Sequence, residues 1–204
     1  MFGMAVLSRW NIVWEIMASL VIAGIAFVFL YKVLVKTIPH KTLHWLAAVT
    51  TSSIFFSPIQ WENWLWGWQV QWYLNVLGLV VAIWALTTWK ASPIKQVMVA
   101  ALGALIATYS LASGFFVWVV CLPLLWLSKS LRQWLWLWTG LAISVAFLYY
   151  VGYHSPPNHP STTLFLREPL GFIGYLFVYL PHPITIDWWH TMLIGPLYIA
   201  GIGV

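Results

Sequence analysis

The chain has 204 residues, of which 62% are hydrophobic and 6% are charged, and its mean hydropathy is +0.87. An ordinary soluble domain carries about 25% charged residues, so this composition excludes that class and indicates an integral membrane protein. The net charge of +5 comes from basic residues scattered singly or in pairs, so we expect no nucleic-acid partner.

Apolar runs recur along the whole chain, several of them near the length of about 20 residues that a helix needs to cross a bilayer. Stretches such as LNVLGLVVAIWAL are apolar on every face, which favours helices over the alternating strands of a barrel. We predict an all-α polytopic membrane protein with seven or eight transmembrane helices in one domain, residues 1–204. The predicted spans are 12–33, 42–58, 69–89, 94–111, 114–128, 133–152, a shorter one near 170–182, and a last one from about 190 to the end.

The basic residues predict the orientation of these spans. Alternate connections hold lysines and arginines, and such connections face the cytoplasm. The polar segments 58–68, 109–114 and 153–170 are then extracytoplasmic, and membrane lipid is the expected surrounding. The basic residues that set this orientation are Lys32, Lys36, Lys41, Lys90, Lys95, Lys129 and Arg132.

Both ends of the sequence predict a fragment of a larger protein. The orientation places Met1 outside, and no feature of the short tail explains its translocation. The last residues, GPLYIAGIGV, stop within an apolar run that has no basic anchor after it. We therefore expect at least one helix to precede Met1.

The first outer segment, FFSPIQWENWLWGWQVQWYLN, places Glu62, one of four acidic residues, among tryptophans. If residues 59–75 form one helix, then Trp61, Trp64, Trp68 and Trp72 share a stripe, as in an interfacial aromatic belt. A carboxylate near lipid must be paired or hydrated, so Glu62 either reaches outward to water or belongs to a functional site.

Three other residues of the outer half of the bundle have two interpretations each. Gln71 and Asn75 either extend a polar track inward from Glu62 or form hydrogen bonds between helices. Glu15 lies at the outer end of the first span, where it either pairs with Arg9 or faces the bundle interior.

The loop GYHSPPNHPSTTLFLREP is the second candidate for a site. Its prolines stiffen the backbone, and it offers His154, His159 and Arg167. Arg167 either pairs with Glu168 at the surface or holds a phosphate through its paired donors. We predict no metal, because the histidine spacing fits a proline-rich turn as well as a ligand set. His40 and His44 lack a third ligand nearby, and a cytoplasmic helix cap accounts for them better.

Three motifs in order, FFSPIQWENWLWGWQVQW, TYSLASGFFVW and GYHSPPNHPSTT with LREPLGFIGYLFVYL, resemble a group of bacterial polytopic proteins similar to GT-C glycosyltransferases. The resemblance covers about residues 50–181. It implies a bacterial inner-membrane protein that moves a sugar from a polyprenyl-phosphate donor at the extracytoplasmic face. The first outer loop, where such enzymes carry their acidic residue, is expected before Met1.

Glu62 does not simply inherit the role of that acidic residue, but it is the carboxylate of the first outer segment in this chain and is therefore the predicted catalytic residue. Asn63, Gln69, His154, His159 and Arg167 would form the wall of a lipid-phosphate or acceptor site. No cofactor is expected, and the oligomeric state is left open. Two alternatives are a non-catalytic membrane scaffold and a transporter subunit, although a transporter would place ionisable residues near the bilayer midplane, where this sequence has almost none.

Overall fold

The computed structural model describes residues 6, 9, 11–153 and 164–179, apart from the side chains of 68, 164, 165 and 176–179. This part of the chain is helical throughout, which confirms the all-α prediction. The predicted last span and the end of the span near 170–182 lie outside the described residues. The α-helices are α1 (Ile12–Thr37), α2 (Lys41–Phe55), α3 (Trp61–Leu65), α4 (Val70–Thr87), α5 (Pro93–Ser110), α6 (Phe115–Val120), α7 (Leu122–Leu127), α8 (Leu135–Tyr150), α9 (Leu164–Arg167) and α10 (Pro169–Tyr179).

Three of the described helices, α1, α4 and α5, are long and apolar enough to cross a membrane. An 18-residue helix is about 27 Å long, close to the roughly 30 Å thickness of the hydrocarbon core. The chain therefore has the elements of a membrane protein. The count of seven or eight spans stays a prediction, because the remaining described helices are shorter.

Local sequence signals account for most helix boundaries. The Asn11 side chain accepts a hydrogen bond from the Val13 backbone N–H at 3.0 Å and caps the start of α1. Helix α1 ends before Pro39, since the residue ahead of a proline is pushed out of the helical region. Pro93 occupies the first turn of α5, where its missing N–H costs nothing.

The predicted span 114–128 coincides with one apolar helical segment, Ala112–Leu127, which is irregular at a single residue. Helix α6 ends at Val120 and α7 begins at Leu122, with Cys121 at the junction between them. Cys121 keeps helical backbone angles, φ −80° and ψ −14°, while Pro123 in the first turn of α7 cannot donate a hydrogen bond back into α6. Cys121 therefore lies buried within this helical segment.

The chain divides into two compact units, one formed by Met1–Thr51 with Glu62–Val151 and the other by Ser52–Trp61 with Gly152–Val204. In the first unit, α4 packs on both α1 and α5, and a core of buried residues joins α4, α5, α6, α7 and α8. In the described part of the second unit, Ser57 caps the 3-10 turn Pro58–Gln60, and α9 is followed at once by α10.

Small residues bring α4 and α5 into backbone contact. A Cβ atom built on Gly78 would lie 2.3 Å from the carbonyl oxygen of Gly103. On α5, Ala100, Ala104 and Ala107 are fully buried, so their side of the helix is a packing face. This contact forms the centre of the first unit.

Candidate functional site

The outer segment is not one helix over residues 59–75, which was the condition for the tryptophan stripe. Trp66 has extended backbone angles, φ −95° and ψ 105°, so the chain breaks between α3 and a 3-10 turn at Gly67–Gln69. Glycine is a poor helix former, which weakens a helix at Gly67. Because the condition is not met, the four tryptophans do not share a stripe on a single helix.

The tryptophans of this segment have different environments. Trp61 and Trp66 are 58% and 62% exposed, and Trp72 is 40% exposed, as expected for rings at a lipid or interfacial surface. Trp64 is half-buried, and its ring stacks on Tyr73 with a centroid distance of 4.7 Å. The segment therefore combines a surface of exposed rings with one stacked pair.

Glu62 lies on α3 with an exposed side chain, and Asn63 beside it is half-buried. The exposed position is accessible to a substrate from solution or from the membrane surface. It also matches the simpler interpretation that Glu62 reaches water. The geometry of α3 fits both interpretations equally, so the catalytic role of Glu62 stays a prediction.

A second carboxylate, that of Glu15, is in close contact with another segment of the protein. Glu15, in the first turn of α1, lies against the 3-10 turn that precedes α4. A Cβ atom on Gly67 would lie 2.3 Å from Glu15 Oε2 and 2.7 Å from Glu15 Cβ. Glycine at position 67 thus leaves the room that the Glu15 side chain occupies. Of the two interpretations of Glu15, the structure supports the one in which it faces the bundle.

Two polar side chains at the start of α4 have buried atoms without a partner in the described part of the chain. They are Gln69, through Oε1, and Tyr73, through its hydroxyl. Tyr73 is 6% exposed. The two residues are four positions apart and share one side of the helix. Buried polar atoms are nearly always hydrogen-bonded, so this pair is unusual.

The sequence pointed to Gln69, but it did not point to Tyr73 or Gly67. The usable signal for Tyr73 was its spacing of four residues from Gln69, which places both on one helical face. No local pattern could identify Gly67, because its role depends on Glu15 more than 50 residues away. The structure thus brings Glu15, Trp64, Gly67, Gln69 and Tyr73 together; we call these residues the outer cluster.

Two more residues singled out in the sequence, Arg167 and Asn75, lie in the described part of the chain. Arg167 is exposed at the end of α9, in the second compact unit. His154 and His159 lie outside the described residues. Asn75 donates to the hydroxyl of Ser113 at 3.0 Å, which supports its interpretation as a contact between structural elements.

No group of three or more histidine, cysteine or acidic side chains in the described ranges could hold a metal ion. His44 Nε2 lies 2.8 Å from the carbonyl oxygen of Ile38 and donates to it. Ile38 is the residue that terminates α1, so His44 caps the end of that helix, which supports the interpretation of His44 as a helix cap.

Comparison with known proteins gives no match: no protein-family model, curated protein or solved structure matches this chain. The resemblance to GT-C enzymes therefore rests on the three sequence motifs alone, and the activity that it implies is a proposal.

Proposed function

We propose that the chain belongs to a bacterial inner-membrane glycosyltransferase of the GT-C kind, which transfers a sugar from a polyprenyl-phosphate carrier at the extracytoplasmic face. The observation that carries this proposal is the outer cluster, where the Glu15 carboxylate packs against Gly67, two residues before Gln69, at one end of the apolar helices α1 and α4. The lysines of α1 lie toward the other end of that helix. This one-sided arrangement suits chemistry on a lipid-linked substrate at one membrane surface.

The proposed reaction needs a base, an acceptor and a leaving group. An exposed carboxylate, for which Glu62 is the predicted residue, takes the proton of the acceptor hydroxyl. The hydroxyl oxygen attacks the anomeric carbon, the bond from that carbon to the phosphate oxygen breaks, and polyprenyl phosphate leaves with the electron pair. Basic groups stabilise the departing phosphate, and Arg167, His154 and His159 are the predicted candidates.

The test is a transfer assay with membranes that contain the chain, supplied with a radiolabelled polyprenyl-phosphate sugar. Loss of a general base lowers the rate by about 10²- to 10⁴-fold, so Glu62→Gln should lower transfer by that factor. Glu168→Gln removes another exposed carboxylate and is the matched control. Unchanged transfer in Glu62→Gln would remove Glu62 from the mechanism. Unaltered envelope glycans in a deletion strain would argue against the activity itself.

A membrane scaffold is the second candidate, and α2 is the observation that favours it. This helix has no buried residue, and its apolar side chains Leu43, Trp45 and Leu46 are exposed. An apolar helix with this much free surface suits contact with lipid or another membrane protein. A transporter is less well supported, because the buried polar side chains in the described part of the chain, Ser19, Ser57, Tyr73 and Thr108, include no acidic or basic residue and no histidine.

A further inference from the structure

The last turns of α1 carry two lysines that lie against the end of α4. Lys32 Nζ lies 5.3 Å from the centre of the Phe29 ring and 5.7 Å from the centre of the Trp84 ring, close enough for cation–π contacts. Lys36 Nζ donates to the carbonyl oxygen of Thr87, the last residue of α4. Residues four positions apart lie on one face of a helix. We call Lys32, Lys36 and the α4 residues that they contact the basic end of the α1–α4 pair.

Both lysine side chains are exposed and keep hydrogen-bond donors for a ligand. An ammonium group has three N–H donors and no acceptor. Lys36 uses one donor on the Thr87 carbonyl oxygen, and Lys32 has no hydrogen-bond acceptor in the described part of the chain. The two groups therefore present several donors and two positive charges at an accessible surface.

The carboxylates described in the first unit lie far from these charges. They belong to Glu15 and Glu62. Glu15 is in the first turn of α1, so Lys32 lies roughly 25 Å further along the helix axis at about 1.5 Å per residue. Glu62 is on α3, close in sequence to Gly67, against which Glu15 packs. Neither carboxylate is therefore placed to neutralise the basic end.

Two more exposed lysines follow α4. Lys90 comes directly after Trp89, and Lys95 lies in the first turn of α5. Gln96 Nε2 donates to the Trp89 carbonyl oxygen, which connects the start of α5 to the end of α4. Like charges in one region repel each other, and a bound anion relieves that repulsion. The ligand that suits this region is therefore an anion.

Aromatic rings indicate which kind of anion fits. The Trp84 ring stacks on the Trp89 ring with a centroid distance of 5.5 Å, and the Lys32 ammonium lies beside this pair. Helices α1 and α4 are long and apolar enough to cross a membrane, and tryptophans near the ends of such helices lie at headgroup depth. Lipid phosphates occupy that depth, whereas a soluble anion is not confined to it. An anionic phospholipid matches both the charge and the position.

We propose that Lys32 and Lys36 bind the phosphate group of an anionic phospholipid, in the leaflet that is predicted to face the cytoplasm. The two ammonium groups donate to phosphate oxygens, and the Trp84 and Trp89 rings border the lipid where its acyl chains begin. The site lies at the opposite end of α1 from the outer cluster. It exists whether or not the chain transfers sugar, because binding requires no reaction.

Energy transfer from tryptophan to a pyrene-labelled lipid tests the proposal, with the full chain in neutral maltoside micelles. The probes are phosphatidylglycerol, which has a net negative charge, and phosphatidylcholine, whose phosphate is balanced by its own choline; both carry the same pyrene acyl chain. We expect phosphatidylglycerol to bind at least about fivefold more tightly, because that is the gain in affinity that one lysine near a charged lipid surface provides. Equal affinity for the two lipids would overturn the proposal.

A competition experiment distinguishes the lipid from a soluble ion. We expect inorganic phosphate to displace pyrene-labelled phosphatidylglycerol no better than chloride does at the same ionic strength. Selective displacement by inorganic phosphate would assign the lysines to a soluble phosphate and would overturn the proposal.

Variants separate the site from general attraction by a basic surface. Lys32→Gln and Lys36→Gln should each weaken phosphatidylglycerol binding about fivefold and leave phosphatidylcholine binding unchanged. Lys32→Arg keeps the charge and its contact with the rings, so it should keep the wild-type preference. Lys129→Gln is the matched control, because Lys129 is an exposed lysine of the same unit between α7 and α8, and it should bind like the wild type. Equal losses in Lys129→Gln and Lys32→Gln would contradict a site at the basic end.

A fold control accompanies the variants. Glutamine at position 36 can still donate to the Thr87 carbonyl oxygen, and Lys32 is exposed, so both variants should unfold at the wild-type temperature. If Lys36→Gln is unstable, the comparison of Lys32→Gln with Lys32→Arg decides, because the Lys32 side chain makes no hydrogen bond in the described part of the chain. None of these measurements involves sugar transfer, so their failure is distinct from failure of the proposed activity.

Discussion

Individual residues show how the first unit satisfies polar groups inside an apolar core. Trp138 Nε1 donates to the Trp118 carbonyl oxygen at 3.0 Å, and Trp118 Nε1 donates to Thr108 Oγ1 at 3.1 Å. The Thr108 hydroxyl donates in turn to the carbonyl oxygen of Ala104 at 2.8 Å. The Trp118 and Trp138 rings also contact each other, with centroids 4.7 Å apart. One chain of hydrogen bonds thus joins α5, α6 and α8.

Thr108→Val tests how much this chain of hydrogen bonds contributes to the stability of the protein. Valine keeps nearly the same shape but leaves Trp118 Nε1 buried without an acceptor, so the free energy of unfolding should fall by about 1–3 kcal/mol. Thr139→Val is the control, because Thr139 makes the same intrahelical bond, to Leu135 at 2.7 Å, on an exposed face. Its effect should stay within about 0.5 kcal/mol. Reversible unfolding in mixed micelles measures the free energy of unfolding of both variants. Equal losses in the two variants would show that the hydrogen bond from Trp118 to Thr108 does not stabilise the protein.

Gly67→Ala tests the outer cluster through packing. The new methyl group would meet both Glu15 Oε2 and Glu15 Cβ, so the carboxylate and the start of α1 must move. Overpacking of this kind costs about 1–3 kcal/mol of unfolding free energy. Gly24→Ala is the control on α1, where a Cβ meets nothing within 4 Å. A Gly67→Ala protein as stable as the wild type would show that Glu15 can move without consequence.

At the scale of helices, the approach of α4 to α5 depends on glycine at two positions. Gly78→Ala would place a methyl group 2.3 Å from Gly103 O and 2.9 Å from Ala107 N, both of them backbone atoms that cannot rotate away. The helices must separate, which should lower the free energy of unfolding by about 1–3 kcal/mol. Gly140→Ala on α8 has open space and should be neutral. Thermal unfolding of the two variants gives the comparison, and similar midpoints would contradict the packing.

The helices themselves were largely predictable, because their signals are local. Hydrophobic length predicted α1, α4 and α5, and Pro39 and Pro93 lie where α1 ends and α5 begins. The break at Trp66–Gly67 was missed, and so was the one-residue irregularity at Cys121, for which Pro123 was a usable signal. The break at Trp66 was hidden because the tryptophan spacing fits a helix equally well, and a periodic pattern does not report the backbone angles of a single residue.

The candidate site was harder to predict than the helices, because it is made by contact between distant segments. Glu15 and Gly67 meet because α1 packs on α4. The alignment of these two helices along each other cannot be predicted from the sequence of either segment alone. Gln69 was identified because it lies seven residues after Glu62, a spacing that would place both on one side of a helix. Tyr73 was not, since a tyrosine at the start of an apolar helix usually serves as an interfacial anchor.

For the whole molecule, contacts at both ends show that α1 and α4 run parallel. Near their N-terminal ends, Glu15 meets Gly67, and at their C-terminal ends Lys36 Nζ donates to the carbonyl oxygen of Thr87. The Lys32 ammonium also lies 5.7 Å from the centre of the Trp84 ring. The basic end of the α1–α4 pair is therefore opposite to the outer cluster. The positive-inside rule predicts that this basic end faces the cytoplasm.

Cysteine labelling across α5 tests that orientation. Cys121 is the one cysteine in the sequence and is 0% exposed, so the wild-type chain should not react with a membrane-impermeant maleimide. Ser92 and Ala112 are exposed just beyond opposite ends of α5, whose 18 residues span about 27 Å. We expect Ala112→Cys to react in intact right-side-out vesicles, and Ser92→Cys to react only after permeabilisation. The reverse pattern would put the outer cluster in the cytoplasm, where a donor presented at the extracytoplasmic face could not reach it. Reaction of both variants in intact vesicles would mean that α5 does not cross the membrane, because a spanning helix of this length keeps its two ends on opposite sides.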